Sequence, residues 1–157
     1  MTDPAFSDYK YEIVPATLRD LNQVKSLEKI CFPVDAWPLL DLIGVLSLPN
    51  ITRLKAICED KLIGFVAADI RRSEKISWIA TIAVLPEYRR RGIGQALLKE
   101  CEALIPTPAI RLCVRHSNTA AIEMYKKEGY HYIGNWAGYY QDGEDALVME
   151  KVEQSGL

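Results

Sequence analysis

One segment constrains the fold more than any other part of the sequence, because residues 82–98 combine a strand, a glycine loop and a helix. The segment reads Ile-Ala-Val-Leu-Pro-Glu-Tyr-Arg-Arg-Arg-Gly-Ile-Gly-Gln-Ala-Leu-Leu. Glycines at positions 92 and 94 let a ligand approach the backbone, and the free N–H groups of a helix start favour an anion. Three adjacent arginines alone are also common on solvated surfaces. Together these features predict a phosphate site. The segment fits neither the phosphate-loop pattern Gly-x-x-x-x-Gly-Lys-Ser/Thr nor the dinucleotide-binding pattern Gly-x-Gly-x-x-Gly.

The pattern along the whole chain predicts the order β-α-α-β-β-β-α-β-α-β-β. This order indicates an α/β fold with a mixed sheet, an antiparallel meander in its first half and parallel pairing at the late strand–helix–strand crossovers. The expected strands are residues 9–16, 52–59, 62–70, 75–85, 109–114, 130–136 and 146–152. The expected helices follow Thr17, lie between Pro38 and Pro49, and span 92–104 and 119–127.

The first helix is expected to begin with a capping box and to bury one apolar stripe. Thr17 and Asp20 have the spacing of the box. The stripe repeats every three residues and is assigned to the core; it consists of Leu18, Leu21, Val24, Leu27 and Ile30.

Composition limits the possible partners. The 19 basic and 21 acidic residues give a net charge of −2, so nucleic acid and anionic membrane are not expected partners, and the anion site must be local. The chain has no membrane-length apolar run, and its start does not have the pattern of a signal peptide, so we expect a cytoplasmic protein. The scattered cysteines and only two histidines predict no metal site, with Cys58 and Cys101 as small buried side chains.

Two motifs carry a resemblance to a known family. Residues 89–94, Arg-Arg-Arg-Gly-Ile-Gly, match the acyl-CoA signature Arg/Gln-x-x-Gly-x-Gly/Ala of the GCN5-related N-acetyltransferases (GNAT). Residues 114–130 resemble the second signature of that family, in the form found in RimI-like protein N-terminal acetyltransferases. Residues 31–33 and 138–146 also resemble that branch, so the likeness covers about residues 10–150. The length of 157 residues also predicts one domain over 1–157, with a core at about 10–152 and short loose termini. The implied sheet is mixed and mostly antiparallel, with about seven strands and about four helices, and is splayed between the fourth and fifth strands.

The resemblance implies acetyl-CoA as the cosubstrate and CoA as the product. Backbone groups of Ile82, Ala83 and Val84 are then expected along the pantetheine arm, with the Val84 N–H as the candidate oxyanion donor. Asn118 is expected to bond the CoA chain, although a simple helix N-cap is the alternative. The amides expected to hold the pyrophosphate are those of Arg89, Arg90, Arg91, Gly92, Ile93, Gly94 and Gln95.

Tyr125 is the candidate general acid. Transfer of an acyl group from a thioester to an amine requires a proton for the departing sulfur. A phenol with a pKa near 10 stays protonated at neutral pH and is able to supply that proton to a developing thiolate. Tyr125 also matches the position of the acid in the family. The alternative is a packing residue beside Met124 and Ile122.

The general base is not evident. Trp78 and Cys113 occupy the positions where relatives commonly carry an acidic, histidine or tyrosine base. A mainly apolar strand is expected to raise the pKa of Cys113, which favours a packing role. His116 is a further candidate, although a loop histidine before a helix is commonly solvated.

The missing base favours an α-amine as the acceptor. Deprotonation at pH 7 costs about 1 kcal/mol for an α-amino group and about 4.6 kcal/mol for a lysine. Water held by backbone carbonyls or by Tyr139 and Tyr140 is then a sufficient route for the proton. A protein or peptide N-terminus is therefore the expected partner. The resemblance implies an acceptor groove with two walls, one formed by Phe32, Pro33, Val34 and Trp37 and the other by Tyr139 and Tyr140.

Three alternatives to this interpretation follow from the same residues. Phe32 and Trp37 fit a role in capping the core equally well. A small-molecule amine is the alternative acceptor, because Asp35 and Asp41 supply some acid near the groove. A non-catalytic acyl-CoA-binding module is a third hypothesis. The sequence indicates neither the oligomeric state nor the preferred acyl chain length.

Overall fold

The computed structural model describes residues 10–153 and contains, in that range, seven strands and four helices. In chain order they are β1 (Glu12–Pro15), α1 (Leu21–Cys31), α2 (Leu39–Ser47), β2 (Ile51–Cys58), β3 (Lys61–Arg71), β4 (Ile76–Val84), α3 (Ile93–Ala103), β5 (Ala109–Arg115), α4 (Thr119–Lys127), β6 (His131–Trp136) and β7 (Ala146–Val152). The expected element order is confirmed. Residues 1–9 and 154–157 lie outside the described residues, and with them the predicted looseness of the termini and Tyr9 of the expected first strand.

All seven strands form one sheet in the order β1-β2-β3-β4-β5-β7-β6. Strands β1 to β4 form the expected antiparallel meander, and β5, β7 and β6 are also joined by antiparallel pairs. The pair between β4 and β5 is parallel. Parallel pairing was expected at the second late crossover too, and that expectation is wrong, because β7 lies between β5 and β6. The α/β class with a mixed, mostly antiparallel sheet is confirmed.

Helices cover both faces of the sheet. Glu28 of α1 bonds Thr81 of β4, so α1 lies on the face of the sheet to which Thr81 points. On the opposite face, a Cβ built on Gly64 of β3 would come within 2.9 Å of Leu97 in α3. Helix α4 lies beside α3, where the Gln95 side chain donates to Glu128 at 2.8 Å. The gap between β4 and β5 therefore opens between two helical layers.

The predicted stripe of α1 is only partly correct. The Thr17–Asp20 capping box is present, but it leads into a short 3-10 turn before α1 begins. Val24 and Leu27 are buried, whereas Leu18 and Ile30 are 44% and 55% exposed. Because an α-helix has 3.6 residues per turn, residues spaced by three shift progressively around the helix axis. The two ends of a long stripe therefore point away from the core.

Two further sequence expectations concern cysteines and membranes. Cys58 and Cys101 are buried as predicted, and burial raises the pKa of the Cys101 thiol to about 12. Across residues 10–153, we find no helix with both the length and the apolar character that crossing a membrane requires.

Candidate functional site

Strands β4 and β5 separate partway along their length. Their ladder runs from Ile76–Ala109 to Ile79–Leu112, and within the described part of the chain it has no later pair. At the same point the pairing of β4 with β3 shifts register, because Ala80 is an extra residue between Ile79 and Thr81. A bulge bends its strand and increases the local twist. The bulge at Ala80 thus accounts for the predicted splay between the fourth and fifth strands, which is confirmed.

The outer edge of β4 is open beyond this bulge. The Leu85 N–H donates to the Ile63 carbonyl at 2.8 Å. Because residues of an antiparallel strand direct their backbone groups alternately to the two sides, those of Ile82 and Val84 point into the gap. The Val84 carbonyl accepts from Arg89 Nε at 3.0 Å and from the Cys31 thiol at 3.4 Å. The N–H groups of Ile82 and Val84 therefore face the side where a ligand could pair with β4 as an added strand.

The start of α3 lies directly beyond this edge. Gly92 has a positive φ of 79° at the N-cap, and no side chain caps the helix. The first helical bond runs from the Ala96 N–H to the Gly92 carbonyl, so the N–H groups of Ile93, Gly94 and Gln95 precede the helical ladder. The first turn contains no acidic residue. An anion at this end is favoured both by these donors and by the helix dipole.

The remaining residues of the predicted phosphate loop lie around this helix start. Arg89 and Arg90 are exposed, and Arg90 has a positive φ of 64°. The Arg91 guanidinium lies 5.7 Å from the centre of the Tyr88 ring. A Cβ on Gly94 would lie 3.8 Å from Val84 and 3.6 Å from Met124. Gly94 therefore packs between the end of β4 and helix α4.

Tyr125 lies on α4 and is 5% exposed. Its ring meets that of Tyr130 edge-on, with ring centres 5.8 Å apart. Burial, and to a smaller extent the nearby Tyr140 phenol, raise the pKa of Tyr125 above its usual value, so the phenol is protonated at neutral pH. Asn118 caps α4 by accepting from the Ala121 N–H at 3.2 Å. The alternative role of Asn118 as a helix N-cap is therefore confirmed, and its role toward CoA stays a prediction.

The face of the sheet that carries α1 also carries a row of aromatic rings, which we call the aromatic row: Trp78, Trp136, Tyr139 and Tyr140. Successive ring centres are 5.7, 5.4 and 5.0 Å apart. Cys113 lies near this row, where burial raises the pKa of its thiol to about 11. The expected upward shift is confirmed. The raised pKa keeps the Cys113 thiol protonated at neutral pH, and the Trp78 indole is a hydrogen-bond donor only, so neither residue has the character of a general base.

The α1–α2 loop, residues 32–38, and the β6–β7 loop, residues 137–145, border this row. Phe32 and Trp37 are partly buried against the core, while Pro33 and Val34 are exposed. In the opposite loop Tyr139 is exposed and Tyr140 is partly buried. The residues predicted for the two groove walls thus occur in loops on the same face of the sheet.

Arg115 joins these two loops, and sequence reasoning missed it. Its Nε donates to Asp35 of the α1–α2 loop at 2.9 Å. Its Nη1 donates to Asp142 and Glu144 of the β6–β7 loop at 2.9 and 2.7 Å, and its guanidinium lies 4.2 Å from the Tyr140 ring centre. One arginine among three carboxylates leaves an excess of negative charge. Arg115 stands in the second sequence signature, but its three partners are 27 to 80 residues away in sequence, so no local pattern indicates them.

We expect Arg115→Gln to release the β6–β7 loop. Bonds from Ser117 and Arg115 lower the pKa of Glu144 to about 2. Since folding lowers this pKa, Glu144 stabilises the folded state above its ordinary pKa of 4.5, and the contribution is lost as pH falls toward 2. In the variant this pKa should rise toward its ordinary value, as measured by an NMR titration of the carboxyl group. The control is Arg111→Gln, which changes another arginine of β5 and removes its pair with Glu150 of β7; the pKa of Glu144 should then stay unchanged.

The splayed sheet, with the uncapped start of α3 beyond the open edge of β4, and the match to an acetyltransferase family together identify the class of protein, an acyltransferase. The model of the Acetyltransferase (GNAT) family matches residues 21–130. The chain belongs to this family, and the expectation of an enzyme is confirmed.

Individual relatives agree with this assignment. An N-alpha-acetyltransferase of Sulfurisphaera tokodaii is 30% identical over 154 residues, covering 89% of this chain and 92% of that protein. N-alpha-acetyltransferase 50 of Danio rerio is 31% identical over 150 residues, covering 90% and 88%. The structure of ribosomal-protein-S18-alanine N-acetyltransferase from Escherichia coli is 25% identical with a TM-score of 0.82, covering 94% of this chain and 97% of that one. The resemblance to the RimI-like branch is confirmed.

Proposed function

We propose that this protein transfers the acetyl group of acetyl-CoA to the α-amino group of a protein or peptide N-terminus, by direct attack of the amine in a ternary complex. The observation that carries the proposal is the open edge of β4, where the N–H groups of Ile82 and Val84 border a gap that ends at the start of α3. The relatives named N-alpha-acetyltransferase support the acceptor. NAA60 of Arabidopsis thaliana, which shares the fold, has been crystallised in complex with acetyl-CoA.

In this proposal the cosubstrate binds along the gap. The pantetheine arm pairs with β4 at residues 82–84, and the pyrophosphate accepts from the amides of residues 89–95. Asn118 bonds the CoA chain from the start of α4. The Val84 N–H donates to the oxyanion that forms when the amine attacks the thioester. The bonds from Arg89 and Cys31 to the Val84 carbonyl hold this end of β4 in position.

Tyr125 supplies the proton for the departing sulfur. Its raised pKa keeps the phenol protonated at neutral pH, whereas a thiol has an ordinary pKa of about 8.5. The phenol therefore still carries a proton at the moment when the sulfur departs. The thiolate takes this proton, and the phenol oxygen receives a proton from the attacking nitrogen in its place. Burial at the Tyr130 contact fixes the ring, which lowers the cost of orienting the donor.

The acceptor lies between the α1–α2 loop and the β6–β7 loop. Phe32, Pro33 and Val34 form one wall, and Tyr139 and Tyr140 form the other. The excess of negative charge around Arg115 attracts the ammonium group of a free N-terminus. Aromatic walls suit a peptide backbone, because they offer apolar faces together with phenol hydroxyls.

The test is release of CoA thiol from acetyl-CoA with a panel of acceptors, followed by mass spectrometry of the products. We expect peptides with a free N-terminus to be acetylated at the α-amine. The matched control is the same peptide with a blocked N-terminus and an internal lysine, which should not react. Preferential acetylation of lysine, or of amino sugars, polyamines or free amino acids, would contradict the proposed acceptor. Tight CoA binding without turnover of any amine would contradict catalysis.

A further inference from the structure

Glu28 of α1 is a buried carboxylate that sequence reasoning assigned no role. It is 1% exposed, and its Oε1 accepts from the Thr81 hydroxyl at 2.8 Å. Its Oε2 is also buried and has no hydrogen-bond partner among residues 10–153. An unsatisfied buried polar atom costs about 1–3 kcal/mol, and more when it is charged. Such an atom in a folded protein calls for a functional reason or a bound water.

Glu28 lies on the face of the sheet where a base was expected. Thr81 and Trp78 pair with Ala67 and Asp69 of β3, which are two residues apart and so share one face. Thr81 is also the first residue after the bulge at Ala80, where β4 leaves β5. The carboxylate of Glu28 therefore lies against β4 on the face of Trp78, at the point where the gap begins.

The polar surroundings of Glu28 connect it to the end of β4. One turn further along α1, the Cys31 thiol donates to the Val84 carbonyl and interacts with the Glu28 carboxylate and with Arg89. From β4 the facing group is the Thr81 hydroxyl, and from α1 itself the facing group is the Cys31 thiol. Helix α2 turns apolar residues inward, namely Leu42, Val45 and Leu46. Arg89 is thus the nearby cation, and it meets Cys31 rather than Glu28.

We propose that Glu28 accepts the proton of the acceptor ammonium, through a water held at its Oε2; this rests on the proposed function. An ammonium N–H bond breaks, and the proton passes through the water to Oε2, giving a carboxylic acid and a neutral amine. The amine forms the N–C bond, and the C–S bond then breaks. The sulfur takes the proton of the Tyr125 phenol, which is replaced by the second proton of the nitrogen. Glu28 finally returns its proton to solvent, so ammonium and thioester yield amide, thiol and one proton.

The chemistry of the carboxyl group fits this role. Burial raises the pKa of Glu28, and the bond from Thr81 opposes this shift in part. The raised pKa of Glu28 is closer to the pKa of an α-ammonium group, which is about 7.7–8.0. Proton transfer is most efficient when the pKa values of the proton donor and the proton acceptor are close. Cys113, with a pKa of about 11, is protonated in the same range and does not compete.

The experiment is the pH dependence of kcat for Glu28→Gln, with acetyl-CoA and the peptide that the wild-type protein acetylates best. At pH 7 we expect kcat to fall about 10²-fold, with recovery as the pH rises through the pKa of the peptide α-amine. The KM for acetyl-CoA should not change. Asp20→Asn removes another buried carboxylate, which lies at the start of α1 and pairs with Lys55 of β2, and should keep the wild-type profile.

Stability separates this role from a structural one. Because burial raises the folded-state pKa of Glu28, ionisation costs stability as pH rises above 4.5 through that pKa. Glu28→Gln should therefore unfold at a temperature equal to or above that of the wild type, with a difference that grows over this pH range. An unchanged kcat profile would overturn the inference, as would a pH-independent loss of kcat together with a lower unfolding temperature. Absence of any amine turnover by the wild type would instead contradict the proposed function.

Discussion

Replacing Tyr125 by phenylalanine is expected to lower kcat for acetyl transfer about 10³-fold, within the range for loss of a positioned general acid. The phenol oxygen is the sole group removed, so the ring should still pack edge-on against Tyr130. Affinity for acetyl-CoA should change by less than about twofold, because the pyrophosphate and pantetheine contacts of the proposal lie elsewhere. Single-turnover kinetics together with calorimetric titration of CoA would measure both quantities.

The pH profile of the wild type adds a second expectation for the role of Tyr125. Since burial raises the pKa of Tyr125 above its usual value, the wild-type phenol stays protonated through pH 9, and kcat should not decline there. The control is Tyr130→Phe, which removes a neighbouring buried hydroxyl and its 3.1 Å bond to Glu102. That variant should lose stability and keep kcat within a few-fold. An equal loss of kcat in both variants would mean that Tyr125 acts through packing.

Elements with local signals were predictable from the sequence. Helix α4 spans Thr119–Lys127 as expected, because Asn118 caps its start and Gly129, with a positive φ of 96°, follows its end. Turn residues likewise delimit the meander of β2, β3 and β4. These signals depend on backbone conformations that few residue types adopt. A single amino-acid sequence is therefore enough to recognise them.

Non-local features were not predictable in the same way. The insertion of β7 between β5 and β6 depends on pairing across the sheet, which hydrophobic alternation does not encode. The partners of Arg115 come together after two loops fold over β5. Glu28 did leave a signal, because it follows Val24 by four residues and so falls on the buried side of α1. A carboxylate on an apolar helix face is a sign of a buried partner, and Thr81 is that partner.

Substitution of Gly94 by glutamate is expected to weaken acetyl-CoA binding about 10³-fold. A carboxylate placed about 4 Å from a phosphate oxygen, at an effective dielectric constant of about 20, costs about 4 kcal/mol. The side chain would extend from the first turn of α3, where the proposal places the pyrophosphate. Calorimetric titration of CoA would measure the loss of affinity, and steady-state kinetics should show a correspondingly higher KM for acetyl-CoA.

The same substitution should have the opposite effect on the free protein. A negative charge in the first turn of a helix is stabilising by about 0.3–1 kcal/mol. A Cβ at Gly94 meets Met124 and Val84 at ordinary contact distances of 3.6 and 3.8 Å, so the added side chain need not disturb the fold. Thermal unfolding of Gly94→Glu without ligand should therefore match or exceed the wild type, while the stabilisation that CoA confers on the wild type should disappear.

Two variants at the same position separate charge from size. Gly94→Ala adds the Cβ alone, and the family signature accepts alanine at this position, so CoA affinity should change little. Gly94→Gln adds a side chain of nearly the size of glutamate without its charge. Its affinity for CoA should lie between those of Gly94→Ala and Gly94→Glu. If Gln and Glu weaken CoA binding equally, the helix start is limited by space rather than by anion binding. If Glu binds CoA as well as Ala does, the pyrophosphate lies elsewhere, and the open edge of β4 has no phosphate anchor at α3.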